Sequence, residues 1–254
     1  MLFLALGITS LLVGTLIGSV GVGGILLIPA LAALGELTTQ TSMATALFSF
    51  IFTGVLGTWM YQRRGSIDWG ITVPVCLGAV FFGYLGALAN SMANAALLNF
   101  ILSLIIIFAG VYTFLPSGRL GRFSFSGESR GHLLLMLGIG AVVGFGSGLT
   151  GVGGPVLSVP FMVVLGFAPL TAIATSQVIQ IVAAVSGTIG NLAYGNIDFI
   201  VAGWVSVLEL IGVMIGVRIA HSSNTRQLRM LVAVVCVVVG GVILVRSSLT
   251  LFAG

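Results

Sequence analysis

The chain has 254 residues, 58% of them hydrophobic and 6% charged, and a mean hydropathy of +1.26. That leaves too little polar surface to coat a soluble globule of this length, so an integral membrane protein is expected. The formal charge of +4 rests on nine basic residues, all arginine and mostly in short stretches between apolar runs, a pattern of membrane topology and not of nucleic-acid binding.

No Lys or Arg precedes Arg63, so the first apolar run lacks the basic flank of a secretory signal peptide and is expected to stay in the protein. In chain order the apolar runs cover about 2 to 18, 24 to 35, 39 to 61, 69 to 90 and 95 to 116. A second set covers about 132 to 149, 155 to 167, 170 to 193, 197 to 219 and 226 to 248. Most reach the roughly 20 residues that span hydrocarbon as a helix. The second of each set, starting at Ile25 and Pro155, is shorter, at roughly 18 Å of helix against a core of about 30 Å. These two are expected to be half-helices. Irregular backbone before them survives at membrane depth only where protein or a water-filled cavity satisfies it.

The two sets are copies at an offset of 130 residues. Gly14-Thr-Leu-Ile-Gly18-Ser-Val-Gly21-Val22-Gly23-Gly24 recurs as Gly144-Phe-Gly-Ser-Gly148-Leu-Thr-Gly151-Val152-Gly153-Gly154. Ala44-Thr45 matches Ala174-Thr175, and Gly65-Ser-Ile67-Asp68 matches Gly195-Asn-Ile197-Asp198. The fold is therefore expected to be all-α and built of two repeats, residues 1–116 and 132–254, joined by a linker at 117–131 rich in Ser, Gly and Arg.

Arginine placement sets the topology. If each run crosses the membrane, or the first two form a re-entrant pair, Arg63, Arg64, Arg119, Arg122, Arg130, Arg218, Arg226 and Arg229 fall on one side and only Arg246 on the other. The positive-inside rule makes that side, with the linker, cytoplasmic and both termini external. An odd number of direction changes per half makes the repeats inverted, as in many secondary transporters, whose sites lie near the midplane between broken helices.

The chemistry expected there follows from the breaks. Each short helix begins after a Val-Gly-Gly turn, with Pro155 at the first helical position of the second, where a missing N–H costs nothing. Unpaired N–H groups at the positive end of a helix dipole suit an anion, and glycine lets it approach the backbone. Candidate binding residues are Gly21, Val22, Gly23 and Gly24 in one turn and Gly151, Val152, Gly153, Gly154 and Pro155 in the other. The run that follows carries Thr38, Ser42, Thr45, Ser49 and Thr53 as one helical stripe, and its copy carries Thr175, Ser176, Gln177, Gln180 and Asn191. Of these, Ser42, Thr45, Thr175, Ser176, Gln177 and Gln180 are candidate donors to the same anion. The same glycines and hydroxyls also suit close helix packing, as in Gly14-x-x-x-Gly18.

Glu209 sits near the middle of its run, where an ionised carboxylate is expensive; intramembrane acids of this kind serve coupling or gating, and protons are the candidate coupling ion. A protonated structural hydrogen bonder is the alternative reading. Asp68 and Asp198 read as helix N-caps. Trp59, Tyr61 and Trp69 read as interfacial anchors beside Arg63 and Arg64. Cys76 and Cys236 lie in apolar runs and read as buried structural thiols, and neither metal nor cofactor spacing is visible.

Gly148-Leu-Thr-Gly-Val-Gly-Gly154-Pro155, followed by Pro160, the Ala174-Thr175-Ser176 start of the next helix and the Gly195-x-Ile-Asp198 turn, resembles the sulfite exporter TauE/SafE family of membrane permeases. The first half matches more weakly, through Gly18 to Gly24 and Pro29. The family often has a third consecutive glycine where this chain has Ile25 and Pro155. The resemblance implies transport of small inorganic or organosulfur anions, such as sulfite or organosulfonates, across a bacterial inner membrane. The sequence reading is thus a permease working by alternating access, with an anion channel as a rival. A membrane-embedded enzyme using Cys76, Cys236, His132 or His221 is a more distant rival, because no nucleophile–base spacing accompanies them. Direction, substrate and oligomeric state stay open at this stage.

Overall fold

The computed structural model describes residues 2–21, 23–114, 130–164, 167, 169–222 and 226–252. Ten α-helices follow one another: α1 (Leu2–Val20), α2 (Leu27–Leu34), α3 (Thr39–Gln62), α4 (Trp69–Met92), α5 (Ala95–Phe114), α6 (Arg130–Thr150), α7 (Gly154–Val164), α8 (Pro169–Tyr194), α9 (Phe199–Ser222) and α10 (Arg226–Phe252). A 3-10 turn, Gly23–Leu26, leads into α2. Every expected segment is present within a few residues, and the second of each set is short, 8 residues in α2 and 11 in α7. Most of the expected linker, and Val22, lie outside the described residues. Among the described residues, five helices are long and apolar enough to cross a membrane, within Thr39–Gln62, Trp69–Met92, Leu133–Thr150, Leu170–Tyr194 and Phe199–Ser222. This is a multi-pass membrane protein.

Local chemistry sets the helix starts. Asp68 accepts from the N–H of Gly70 at 3.0 Å, and Asp198 from those of Ile200 and Val201 at 3.1 and 2.9 Å. Both are the expected N-caps, supplying acceptors to donors a helix cannot pair internally. Thr38 caps α3 in the same way, accepting from Thr41 N at 3.3 Å, so it stands at the end of the polar stripe and not within the helix.

The main helix contacts form a pattern that is kept when the two halves are exchanged. α1 packs on α9 as α6 packs on α4, α3 packs on α9 as α4 packs on α8, and α3 with α8 and α5 with α10 each join repeat mates. Small residues make the closest crossings, as expected where no hydrophobic drive separates helix from lipid. A Cβ on Gly144 would lie 2.6 Å from Ala79 O, and one on Gly18 would lie 2.6 Å from Val213 O. One on Gly14 would overlap the Glu209 backbone. The packing reading of Gly14-x-x-x-Gly18 therefore holds.

Polar contacts fix helix direction. At their N-terminal ends α3 and α9 meet through Asp198 N, which donates to Thr45 Oγ1 at 3.1 Å. At their C-terminal ends Arg64 Nη1 donates to Val217 O at 3.5 Å, and Ser66 Oγ lies 3.5 Å from His221 Nε2. These two helices run the same way. Along α3, Leu47, Gly54 and Gly57 face Gly187, Ile181 and Gln177 of α8 in turn, so α3 and α8 run in opposite directions and cross near their middles.

Candidate functional site

The two glycine turns are built by left-handed backbone. Gly21 has φ 79° and Gly151 φ 68°, a conformation other residues adopt only with strain. Each ends a helix as a C-terminal glycine does: Gly21 N donates to Leu16 O and Ile17 O, both at 3.1 Å, and Gly151 N to Ser147 O at 2.8 Å. Three carbonyls in these last turns also accept from side chains of other helices. Tyr61 Oη donates to Gly18 O at 2.8 Å, Gln177 Nε2 to Ile17 O at 3.4 Å, and Asn90 Nδ2 to Leu149 O at 2.6 Å. Tyr61 is fully buried, which corrects its reading as an interfacial anchor: its hydroxyl finds a carbonyl that α1 leaves unpaired. Trp59 and Trp69 remain half exposed. Neither Tyr61 nor Asn90 was marked for this role by sequence spacing, because their partners lie 43 and 59 residues away.

Past the turns, the chain meets the middle of α3. Phe50 stands between the two breaks: a Cβ on Gly24 would lie 2.8 Å from its ring, and one on Gly153, itself at φ 84°, would lie 3.1 Å away. Gly154 packs on the α8 backbone, its missing Cβ 3.0 Å from Gln180 N. Gly21 faces the second half, with Pro155 Cβ 3.6 Å and Ser176 Oγ 3.7 Å from where its Cβ would be. The start of α2, the start of α7 and the middles of α3 and α8 thus converge. The first N–H groups of α7 have no intrahelical acceptor by construction. Gly23 serves otherwise: its missing Cβ would lie 2.5 Å from Val13 O, so it lets the 3-10 turn fold back onto α1. Gly151 is likewise pressed against the Met43 backbone.

The polar stripes are buried as a group. Ser42, Thr45, Ser49 and Thr53 of α3 and Thr175, Ser176, Gln177 and Gln180 of α8 are each at most 2% exposed, and Val152 is buried beside them. Their partners differ. Gln180 Nε2 donates to Phe50 O at 3.0 Å and to Thr53 Oγ1 at 2.7 Å, tying α8 to α3. Thr45 accepts from Asp198 N, and Ser176 Oγ donates to Ile173 O at 2.7 Å. Ser42 Oγ, Thr175 Oγ1 and Gln177 Oε1 are buried without a partner among the described residues. No arginine or histidine is buried among the described residues. Glu209 is fully buried on α9, both carboxyl oxygens lacking a hydrogen-bond partner there. Ser49 is close to it, yet the Ser49 hydroxyl donates to Ala46 O at 2.8 Å.

Two broken helices thus meet uncharged donors inside an apolar bundle, and the chain matches a known family along most of its length. The sulfite exporter TauE/SafE family model covers residues 6–243. The chain belongs to the TauE/SafE family. The chain is 25% identical to the probable membrane transporter protein YunE of Bacillus subtilis, across 94% of this chain and 96% of that one. It is 26% identical to the probable membrane transporter protein YdhB of the same organism, across 83% and 87%. A probable membrane transporter protein of Methanocaldococcus jannaschii is 22% identical across 91% and 92%. No solved structure matches the chain. Membership in TauE/SafE places this protein among membrane transporters.

Proposed function

We propose that the chain is a permease for small anions, of the sulfite or organosulfonate class, held where the two glycine turns meet α3 and α8. One observation carries the reading: two helix starts, around Gly24 and Gly153, flank the same Phe50 ring inside a polar layer free of arginine and histidine. A buried full positive charge would hold an anion tightly and resist release. Helix N-terminal N–H groups with hydroxyl and amide donors bind it with partial charges instead. The family's name supports the choice of anion, and membership in a transporter family supports transport over catalysis.

The two halves are read as inverted copies that rock about the α3–α8 crossing, exposing the centre alternately to either side. Support comes from the opposed directions of the repeat mates α3 and α8 and from the exchange-symmetric packing. With the one-sided arginines, this puts both termini outside the cytoplasm of a bacterial inner membrane. Glu209 is read as the proton-coupling group, the sole acidic side chain buried among the described residues.

The test is counterflow of labelled sulfite and organosulfonates in proteoliposomes. Gly153→Val drives a side chain toward Phe50 and removes the freedom behind φ 84°, and counterflow is expected to disappear. Thr175→Val, which removes a buried hydroxyl without a partner among the described residues, is expected to raise KM about tenfold or more, the scale of one hydrogen bond to a charged ligand. Gly203→Ala, with nothing within 4 Å of its new Cβ, should transport normally. Unchanged affinity in both site variants would remove the anion from this site.

A further inference from the structure

Away from the central site, α2, α5 and α10 enclose a cavity of about 560 Å³ that the transport mechanism does not use. We propose that it is a binding site for one anionic phospholipid, its headgroup phosphate on Arg246 and an acyl chain along α2 and α10. The cavity is divided by polarity. Ile28, Ala32 and Ala33 of α2, Leu102 of α5 and Val238 and Val242 of α10 form the apolar part. Arg246 and Ser247 of α10, Asn99 of α5 and Thr39 at the start of α3 form the polar end.

The geometry selects an amphiphile. Val238 and Arg246 lie two helical turns apart, about 12 Å along α10, so the apolar length and the cation follow one another along a single axis. A small hydrated anion gains nothing from that length, whereas an acyl chain packs along it. Val238 and Val242 are 60% and 53% exposed, so the cavity opens sideways, where a lipid can enter. The guanidinium offers a planar fork of donors that matches a phosphate in two-point contact. A long basic side chain on an apolar helix reaches lipid headgroups along its own stem. Arg246 is also the arginine that the one-sided topology leaves over. A lipid seated here would press on α2, whose lead-in turn touches Phe50.

Native mass spectrometry of the detergent-purified full chain, titrated with phosphatidylglycerol or phosphatidylcholine of matched acyl chains, tests the site. The parent is expected to retain phosphatidylglycerol in preference to phosphatidylcholine. Arg246→Gln should lower that preference about fivefold, the weight of one basic residue at a membrane surface, with thermal unfolding in phosphatidylcholine unchanged. Ala33→Phe should fill the apolar part and reduce retention of both lipids. Excess sulfite should leave retention as it was. Equal retention of the two lipids by the parent, an undiminished preference in Arg246→Gln, or displacement of lipid by sulfite would each overturn the proposal, the last by making the cavity a substrate vestibule.

Discussion

Glu209 and Ala79 occupy matching positions in the two halves, and each backs onto a glycine of its partner helix, Gly14 and Gly144. The backbones repeat and the side chains do not: Gln177, Gln180 and Asn191 correspond to Leu47, Phe50 and Tyr61. A lone acid in the membrane interior is tolerated neutral and is costly when charged. If it takes up and gives back a proton as its surroundings alternate, transport varies with pH through Glu209. Glu209→Gln keeps the shape and removes the titration. The expected outcome is a flattened rate-against-pH profile in proteoliposomes, with the variant at least as heat-stable as the parent. A parent-like profile in a well-folded variant would make Glu209 structural.

The glycine-rich crossings set how closely elements approach. Alanine in a helix interior gains up to about 1 kcal/mol over glycine, so collision alone decides the sign of a substitution. Gly144→Ala would put a Cβ 2.6 Å from Ala79 O, backbone that cannot swing aside, and overpacking of this kind costs about 1–3 kcal/mol. Thermal unfolding in detergent should fall for Gly144→Ala and hold or rise for Gly203→Ala, which meets nothing. Equal melting of the two would mean that the α4–α6 crossing is slack. Element lengths were legible in the sequence because apolar runs, glycine breaks and the Asp68 and Asp198 caps are local signals. The purpose of each glycine was not. Gly21 and Gly23 sit two residues apart in one motif, yet one faces Pro155 and Ser176 across the halves and the other lies against Val13 and Leu16 of α1. Phe50 passed as ordinary core for the same reason: only tertiary packing brings Gly24, 26 residues before it, and Gly153, 103 residues after it, to its ring.

At the scale of the whole molecule, direction in the membrane is the first quantity to measure. In a variant lacking Cys76 and Cys236, a cysteine at exposed Gln62 should react with an impermeant maleimide only after the cells are opened. One at exposed Asn196 should react in intact cells. Reaction of both from the same side would contradict opposed orientation of the halves.

Exchange symmetry of the helix packing also bears on resting populations. In a pair of inverted copies, the state open to one side is the state open to the other with the halves interchanged, so a perfectly symmetric chain would occupy both equally. Any preference has to come from positions where the copies differ. Tyr61 clamps Gly18 O in one half, while the matching position in the other half is Asn191. A free-energy difference of 1.4 kcal/mol between such positions is already a tenfold bias. The direction in which the protein waits for its solute would then be written in a handful of unmatched side chains, and replacing Tyr61 by the Asn of its counterpart would move the balance toward parity.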